Sequence, residues 1–497
     1  MGPVAVLKRK FHHQTIVVFL AVFCLHLAFL FGCAKLLHFY DATLWEQVQK
    51  QDSSEYYSLA QSLLADGRFY LDGIRIPETF RTIGYPAIIA GVFAVTGGSD
   101  FVPGKAAPQW GDSFYIVLGF LALLAGATSA LVVGIGEKLL IPHPFALAGG
   151  MLFGISPAVL FLPVSGMGSD MVFAFLFTLC LYLLLNLLDS PRPWIYALII
   201  GVLMGIGTLS RPVGQFFSLV TIIAVPFMAG QNWIPRRREI LIGMIALLSF
   251  LVTISPWLLR NYQVAGHLSI SSIPVYSFAH YNIPAFLAHH HGTPEGEELK
   301  KISNMVGNPP DKLNRSFAFT NAYEEINADF LREYFAPYLA FHIFKTLPFF
   351  LGSGLDVSYA VLAIETQWRL HIPFLPHVDE NLSDLVYERD FGGVLKNLMT
   401  YWPATLERIM WLMLFSGTLA APFLTKNTLH RKYYIFGIAV IGMAGLLSSP
   451  VAQPRYRIPV EPIAWVSGIF VLTVAISFAQ RKLFSHKISM KKDVTNL

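Results

Sequence analysis

Charge is scarce in this chain. Only 13% of its 497 residues are Asp, Glu, Lys or Arg, against about 25% in a soluble domain. That shortage excludes an ordinary soluble protein of this size, and no stretch is basic enough to make a nucleic-acid-binding surface. Cysteine is scarcer still: Cys24, Cys33 and Cys180 all sit in apolar runs without metal-ligand spacing. They read as small core residues that say little about redox compartment. No internal repeat is evident, which counts against the transporters built from repeats. Nor does the start of the sequence read as a cleaved leader. The apolar run from about residue 15 to 37 follows Lys8-Arg9-Lys10, but it exceeds the 7–15 residues of a signal h-region and no small-residue cleavage site follows. It reads as an uncleaved first helix.

Apolar sequence is abundant: 54% of residues are hydrophobic and the mean hydropathy is +0.54. The chain therefore reads as an all-α polytopic membrane protein. A helix needs about 20 apolar residues to cross the hydrocarbon. Stretches of that kind lie at roughly 15–37, 113–136, 143–164, 170–188, 193–210, 213–230, 239–259, 405–424, 433–450 and 459–479. Two shorter or charge-bearing stretches, 82–96 and 336–361, read as interfacial helices, giving ten spans, with twelve as the alternative. Short cytoplasmic loops are rich in Lys and Arg. Ten spans with both termini inside place Arg236-Arg237-Arg238, Lys426, Arg431, Lys432 and the tail from Arg481 to Lys492 on the cytoplasmic side. The organisation expected is an N-terminal catalytic module over 1–265 with a first outer loop at 38–112. A long outer loop with interfacial helices follows at 266–404, then C-terminal helices and a basic tail over 405–497.

Chemistry-bearing residues gather on the outer face of this topology. Asp52 and Glu55 are three apart and share a helix face, followed by Tyr56, Tyr57 and the apolar Leu59, Leu63 and Leu64 of a helix able to lie on the membrane. Asp170 opens an apolar helix, where a carboxylate also serves as a cap. Arg81, Arg211, Arg260, Arg455 and Arg457 fall on the same side. Singly, each is explained by snorkelling. Together beside acids they suggest a phosphate site, because the planar guanidinium fork binds phosphate oxygens bidentately. His289-His290-His291 reads as a solvated loop rather than a metal site. Asn314-Arg-Ser316 and Asn381-Leu-Ser383 match glycosylation acceptor triplets.

Several short pieces in order now resemble one family. They are Asp52 with Tyr56-Tyr57 and Leu59-Ala60, Arg81-Thr-Ile-Gly84-Tyr85-Pro86, Ser169-Asp170, Ser210-Arg211-Pro212, Pro256-Trp257 through Arg260-Asn261-Tyr262, and Arg455 through Pro462. The set resembles the membrane-embedded C-type glycosyltransferases that use polyprenyl-phosphate sugars, a group including protein mannosyltransferases and the lipid A aminoarabinose transferase. It covers roughly residues 40–265 and the last turn and helix. Some relatives carry Lys-Pro or paired prolines where this chain has Arg81 to Pro86, and Asp52 is followed by Ser53 rather than a second acid.

The resemblance implies a single-displacement, inverting transfer of a sugar from a polyprenyl-phosphate donor to an acceptor hydroxyl on the outer face. Asp52 would be the base or a metal ligand, with Asp170 orienting the acceptor or sharing a Mg²⁺ or Mn²⁺ ion, and Glu55 as a substitute acid. A carboxylate takes the acceptor proton, and arginines stabilise the departing phosphate: Arg260 and Arg211 first, then Arg81, Arg455 and Arg457. Tyr56, Tyr57, Tyr85 and Tyr262 would line the substrate. The acceptor would be a lipid, glycan or protein, and the setting a plasma or bacterial inner membrane. The alternatives are a transporter or flippase for an anionic lipid-linked molecule, which would place its charges near mid-membrane, and a scaffold subunit, which would dispense with the acids.

Overall fold

A computed structural model describes residues 3–40, 52–71, 76–97, 112–162, 168–310, 313–355, 385–386 and 389–495; the side chains of 3–12, 34–40, 52–53, 112 and 483–495 are outside that description. The helices, in order, are α1 (Pro3–Tyr40), α2 (Asp52–Asp66), α3 (Gly84–Thr96), α4 (Asp112–Lys138), α5 (His143–Gly154), α6 (Pro157–Phe161), α7 (Gly168–Asn186), α8 (Pro193–Ser210), α9 (Gly214–Ala229) and α10 (Arg237–Ala265). Then come α11 (Ile273–Ser277), α12 (Ile283–His291), α13 (Glu295–Met305), α14 (Thr320–Phe344), α15 (Leu347–Leu351), α16 (Phe391–Thr400), α17 (Trp402–Leu424), α18 (Thr428–Ser448) and α19 (Glu461–Thr495). Among the described residues the sole β element is an isolated antiparallel bridge between Tyr70 and Pro77.

Among the described residues, six segments are long and apolar enough to cross a membrane: His13–Cys33, Ser113–Lys138, Gly168–Asn186, Pro193–Ser210, Arg237–Ala265 and Pro454–Lys482. The other four expected crossings are built differently. The stretch 143–164 is broken between α5 and α6, where Pro157 restarts the helix after Ser156. The stretch 213–230 contains the 16-residue α9, 405–424 falls within α17, and 433–450 is α18 up to Ser448 with two residues beyond its end. Of the two stretches read as interfacial, 82–96 is the 13-residue α3, shorter than a crossing needs. The other runs through the end of α14 and α15, and its last residues, 356–361, lie outside the described residues.

Small residues let the helices approach. On α8, a Cβ at Gly205 would lie 2.6 Å from the Thr253 side chain of α10, the close packing that glycine permits between helices in lipid. The apolar side chains that these contacts leave on α10, among them Val252 and Leu259, are exposed and would face lipid.

The bundle has two distinct ends. At one, Lys432 Nζ donates to the carbonyls of Phe227 (2.8 Å), Gly230 (2.8 Å) and Asn232 (2.5 Å), which brings the loop carrying Arg236–Arg238 beside the start of α18. At the other lie the carboxylates and arginines described below. The described residues between 267 and 344, part of the expected long outer loop with interfacial helices, form a helical cap with an apolar core of Ala279, Ile283, Phe286, Ile302, Tyr323, Phe330, Tyr338 and Phe341. His289–His291 are exposed, as expected, but they end α12 instead of lying in a loop. His289 stacks on Phe341 at 5.5 Å and His290 on Phe286 at 5.4 Å.

Candidate active site

The helix α2 starts the site. Tyr56, Tyr57 and Ala60 are buried at spacings that put them on one helix face. Tyr57 stacks on Phe93 (5.8 Å) and tilts against Phe114 (5.5 Å), and Leu59 is enclosed with Phe69, Trp257 and Ile270. The expectation that Leu59, Leu63 and Leu64 rest on the membrane is therefore corrected. Leu59 is buried in protein, Leu63 is half-buried, and Leu64 alone is exposed. Asp52 is the first residue of α2; its side chain is outside the described residues.

One turn later, Glu55 joins two chain segments. Its Oε2 accepts from Arg81 Nε at 2.9 Å and its Oε1 from Arg315 Nη2 at 2.6 Å. Burial pushes the Glu55 carboxyl up, but the two guanidiniums outweigh it and hold the group below the usual carboxylate range. The turn before Arg81 is set by Glu78, whose Oε1 accepts the N–H of Phe80 (2.6 Å) and of Arg81 (3.1 Å). Behind it, α3 sits hard against the end of α8. A Cβ on Gly84 would come within 2.6 Å of the Leu209 carbonyl carbon and the Ser210 nitrogen, so glycine is required for that contact.

A second acid lies next door. Asp170, in the first turn of α7, is buried and paired with Arg211, the residue that terminates α8 in extended conformation. The Arg211 guanidinium lies 5.7 Å from the Tyr456 ring centre and that of Arg455 5.0 Å from the same ring. Tyr56 joins the two acids. Its hydroxyl is 3.3 Å from Ser169 Oγ and accepts from Arg81 Nη1 at 3.4 Å. Glu55, Tyr56, Arg81, Asp170, Arg211, Arg315 and Arg455 thus form one polar cluster at one end of the bundle.

Other residues singled out in the sequence are placed elsewhere. Arg457 has an exposure of 0% and is turned inward. It bonds Glu461 Oε1 (3.2 Å) and the carbonyls of Phe349 (3.2 Å) and Gly352 (2.9 Å), and lies 3.8 Å over Trp411. Enclosed by protein acceptors, it belongs to the scaffold and not to a phosphate site. Arg260 donates to the carbonyls of Glu78 (2.6 Å) and Phe69 (3.2 Å) and lies 4.8 Å over Trp257, tying α10 to the segment before Arg81. Tyr85 is fully buried, edge-on to Tyr56 at 5.0 Å. Burial pushes the phenols of Tyr57 and Tyr85 up, so neither serves as a base. Tyr262 is exposed on the flank of α10. Of the glycosylation triplets, Asn314 has its side-chain oxygen buried within the turn that carries Arg315, and Asn381 lies outside the described residues.

Sequence reasoning missed Arg315 and Tyr456. Tyr456 sat unremarked inside the Arg455-Tyr-Arg457 piece. Arg315 carried no signal beyond an arginine in a long loop, because only the folded cap brings it to Glu55.

A cavity of about 710 Å³ opens beside the cluster, between the end of α2, the 67–70 turn and α10. Leu63, Phe69, Ile83, Leu209, Pro256 and Trp257 supply its apolar walls, with Arg68 and Arg260 among its charged lining. Two of its lining residues, Ile83 and Leu209, are each two residues from a cluster arginine, Arg81 or Arg211. Of the two acids expected to share a divalent cation, Asp52 has its side chain outside the described residues and Asp170 pairs with Arg211; among the described residues no group of three His, Cys, Asp or Glu could hold a metal ion.

No protein-family model and no curated protein matches the chain. Among solved structures, the chain is similar to the oligosaccharyltransferase AglB of Archaeoglobus fulgidus, solved with an inhibitory peptide and a dolichol-phosphate. The identity is 13% and the TM-score 0.48, with 95% of this chain and 52% of that one covered. It is also similar to ArnT from Cupriavidus metallidurans in the apo state, at 13% identity and a TM-score of 0.35, covering 88% of this chain and 78% of that one. The chain thus spans about half the length of the archaeal oligosaccharyltransferase that it matches.

Proposed function

We propose that this protein is a membrane glycosyltransferase that moves one sugar from a polyprenyl-phosphate donor to an acceptor hydroxyl at the end of the bundle holding Glu55 and Asp170. The observation that carries the reading is the gathering of arginines from four separate segments around the half-buried Glu55 and the buried Asp170. Arg81, Arg211, Arg315 and Arg455 exceed Glu55 and Asp170 by two positive charges; Glu78 is matched by the neighbouring Arg260, and Asp52 would still leave an excess of one. A phosphate monoanion or dianion suits that surplus. The motif resemblance supplies the donor class.

In this reading Asp52 accepts the proton of the acceptor hydroxyl as its oxygen attacks the anomeric carbon. The bond from that carbon to the phosphate oxygen breaks in the same step, and the configuration inverts. The charge that stays on the lipid phosphate falls among guanidiniums held in place before the reaction, so little reorganisation is needed. Glu55 and Asp170 are already paired with arginine, which makes them positioning residues and leaves the base to Asp52. The apolar cavity beside Ile83 and Leu209 takes the start of the prenyl chain. No step is routed through a metal; activity in chelator, with and without added Mg²⁺ or Mn²⁺, tests that choice.

The site end faces the extracytoplasmic side, because the opposite end carries Arg236–Arg238 and Lys432 and short cytoplasmic loops are basic. The role of Asp52 is tested with Asp52→Asn in purified protein. The reading expects normal thermal stability with transfer reduced at least ~100-fold, the scale of a lost general base. A folded variant with full transfer removes Asp52 from the role.

A further inference from the structure

We propose that Arg315 is a ligand of the donor phosphate, delivered to the site by the cap. The inference rests on the donor class proposed above and adds a residue that no motif indicated. Three observations lead to it.

The first is how the guanidinium is used. Arg315 meets Glu55 through Nη2 alone. The neighbouring donor on the same edge of the fork, Nε, is buried and has no hydrogen-bond partner among the described residues. A carboxylate that filled the fork would engage both nitrogens. Here the second oxygen of Glu55 goes to Arg81 instead, so the carboxylate is shared and the Arg315 fork is half used. A buried donor left open is costly, and a phosphate oxygen would recover that cost.

The second is the platform. Phe80 carries both guanidiniums, Arg315 at 4.8 Å and Arg81 at 5.3 Å from its ring centre. The two cations on this ring share the Glu55 carboxylate, while Glu78 caps the Phe80 and Arg81 N–H groups and has Arg260 as its own cationic neighbour, an arrangement an anion would complete.

The third is that the turn bearing Arg315 is fastened down. Phe317 N–H donates to Thr79 Oγ1 at 3.0 Å, Ser272 N–H to the Thr79 carbonyl at 3.1 Å, and Ser271 Oγ to the Phe80 carbonyl at 2.5 Å. Ser272 Oγ also donates to the carbonyl of Arg315 itself. A solvated surface arginine would not be fixed by its backbone to the residues that present Arg81. The side chain is also only 14% exposed.

The test is binding of undecaprenyl phosphate, with undecaprenol as the uncharged control, to the full-length protein in lipid, for wild type, Arg315→Lys and Arg315→Gln. Lysine keeps the charge beside Glu55 but offers no fork. The expected result is phosphate-lipid affinity at least ~10-fold weaker in Arg315→Lys, unchanged affinity for the alcohol, and a thermal midpoint close to wild type. Arg315→Gln should lose more affinity, and its alcohol binding reports whether it is folded. Equal affinity for the phosphate lipid in wild type and Arg315→Lys overturns the role of Arg315 and leaves the donor class standing. A wild type that does not prefer the phosphate over the alcohol overturns the donor class, and this inference with it.

Discussion

Glu55 and Asp170 stand in the same cluster but are held differently, and the difference decides what each can do. Glu55 is gripped from two sides by Arg81 and Arg315, whereas Asp170 is deeply buried against Arg211. Replacing Glu55 with Gln leaves two neighbouring guanidiniums without their counter-charge. We expect a loss of about 1–3 kcal/mol, seen as a lower thermal midpoint in detergent. The pH dependence follows from the direction of its shift. A carboxyl whose folded value lies below its unfolded value, about 4.3 for Glu, contributes stability above that value and loses it as pH falls through the folded one. Wild type should therefore lose stability faster than Glu55→Gln on going from pH 6 to pH 3; parallel losses would show that the Glu55 pairing adds nothing to folding. The acids and Arg81, Arg211 and Arg455 were legible in the sequence because charge is conspicuous in an apolar chain. Arg315 was not, since its partner Glu55 is 260 residues away. Arg457 misled for a related reason: sequence shows a charge near a helix end but not that Glu461 and Trp411 enclose it.

At the scale of elements, the junction between α3 and α8 positions the site. Gly84 touches the backbone of Leu209 and Ser210, which fixes Arg81 and Tyr85 on one side and Arg211 on the other. Gly84→Ala must push these helices apart, so we expect destabilisation of about 1–3 kcal/mol together with weaker donor binding. A variant with wild-type stability and binding would show that the junction is looser than described. The inward Arg457 gives the contrasting case. Arg457→Ala strips a buried carboxylate network of its cation and should cost about 3–5 kcal/mol. Its effect on donor affinity should be no larger than its effect on the fraction folded. A selective loss of affinity in folded protein would return Arg457 to the phosphate site. Hydropathy located most helices here because lipid-facing runs must be apolar. It could not foresee that α2 would bury Leu59 in protein, since an amphipathic pattern looks the same against lipid and against α10.

For the whole molecule, the separation of charge between the two ends is the organising feature. Arg236–Arg238 and Lys432 mark one end, and the acids with their arginines the other. In a cysteine-free background, a single cysteine at Gln231 and one at Lys300, both exposed, should be labelled by an impermeant thiol reagent from opposite sides of a sealed membrane. Labelling of both from one side would contradict the two-ended arrangement. The cap was the least legible large feature. Its aromatic core comes from residues spread over 279–341, with no run long enough to announce itself, yet it carries an arginine into the site.

The most direct measurement is sugar transfer by the purified wild-type protein in lipid vesicles, comparing labelled polyprenyl-phosphate sugars with the matching nucleotide sugars, with crude envelope material as acceptor. Label reaching the acceptor from a polyprenyl-phosphate sugar, and not from its nucleotide counterpart, is the result this account predicts. No transfer from any lipid-linked donor, or transfer from nucleotide sugars alone, would contradict it.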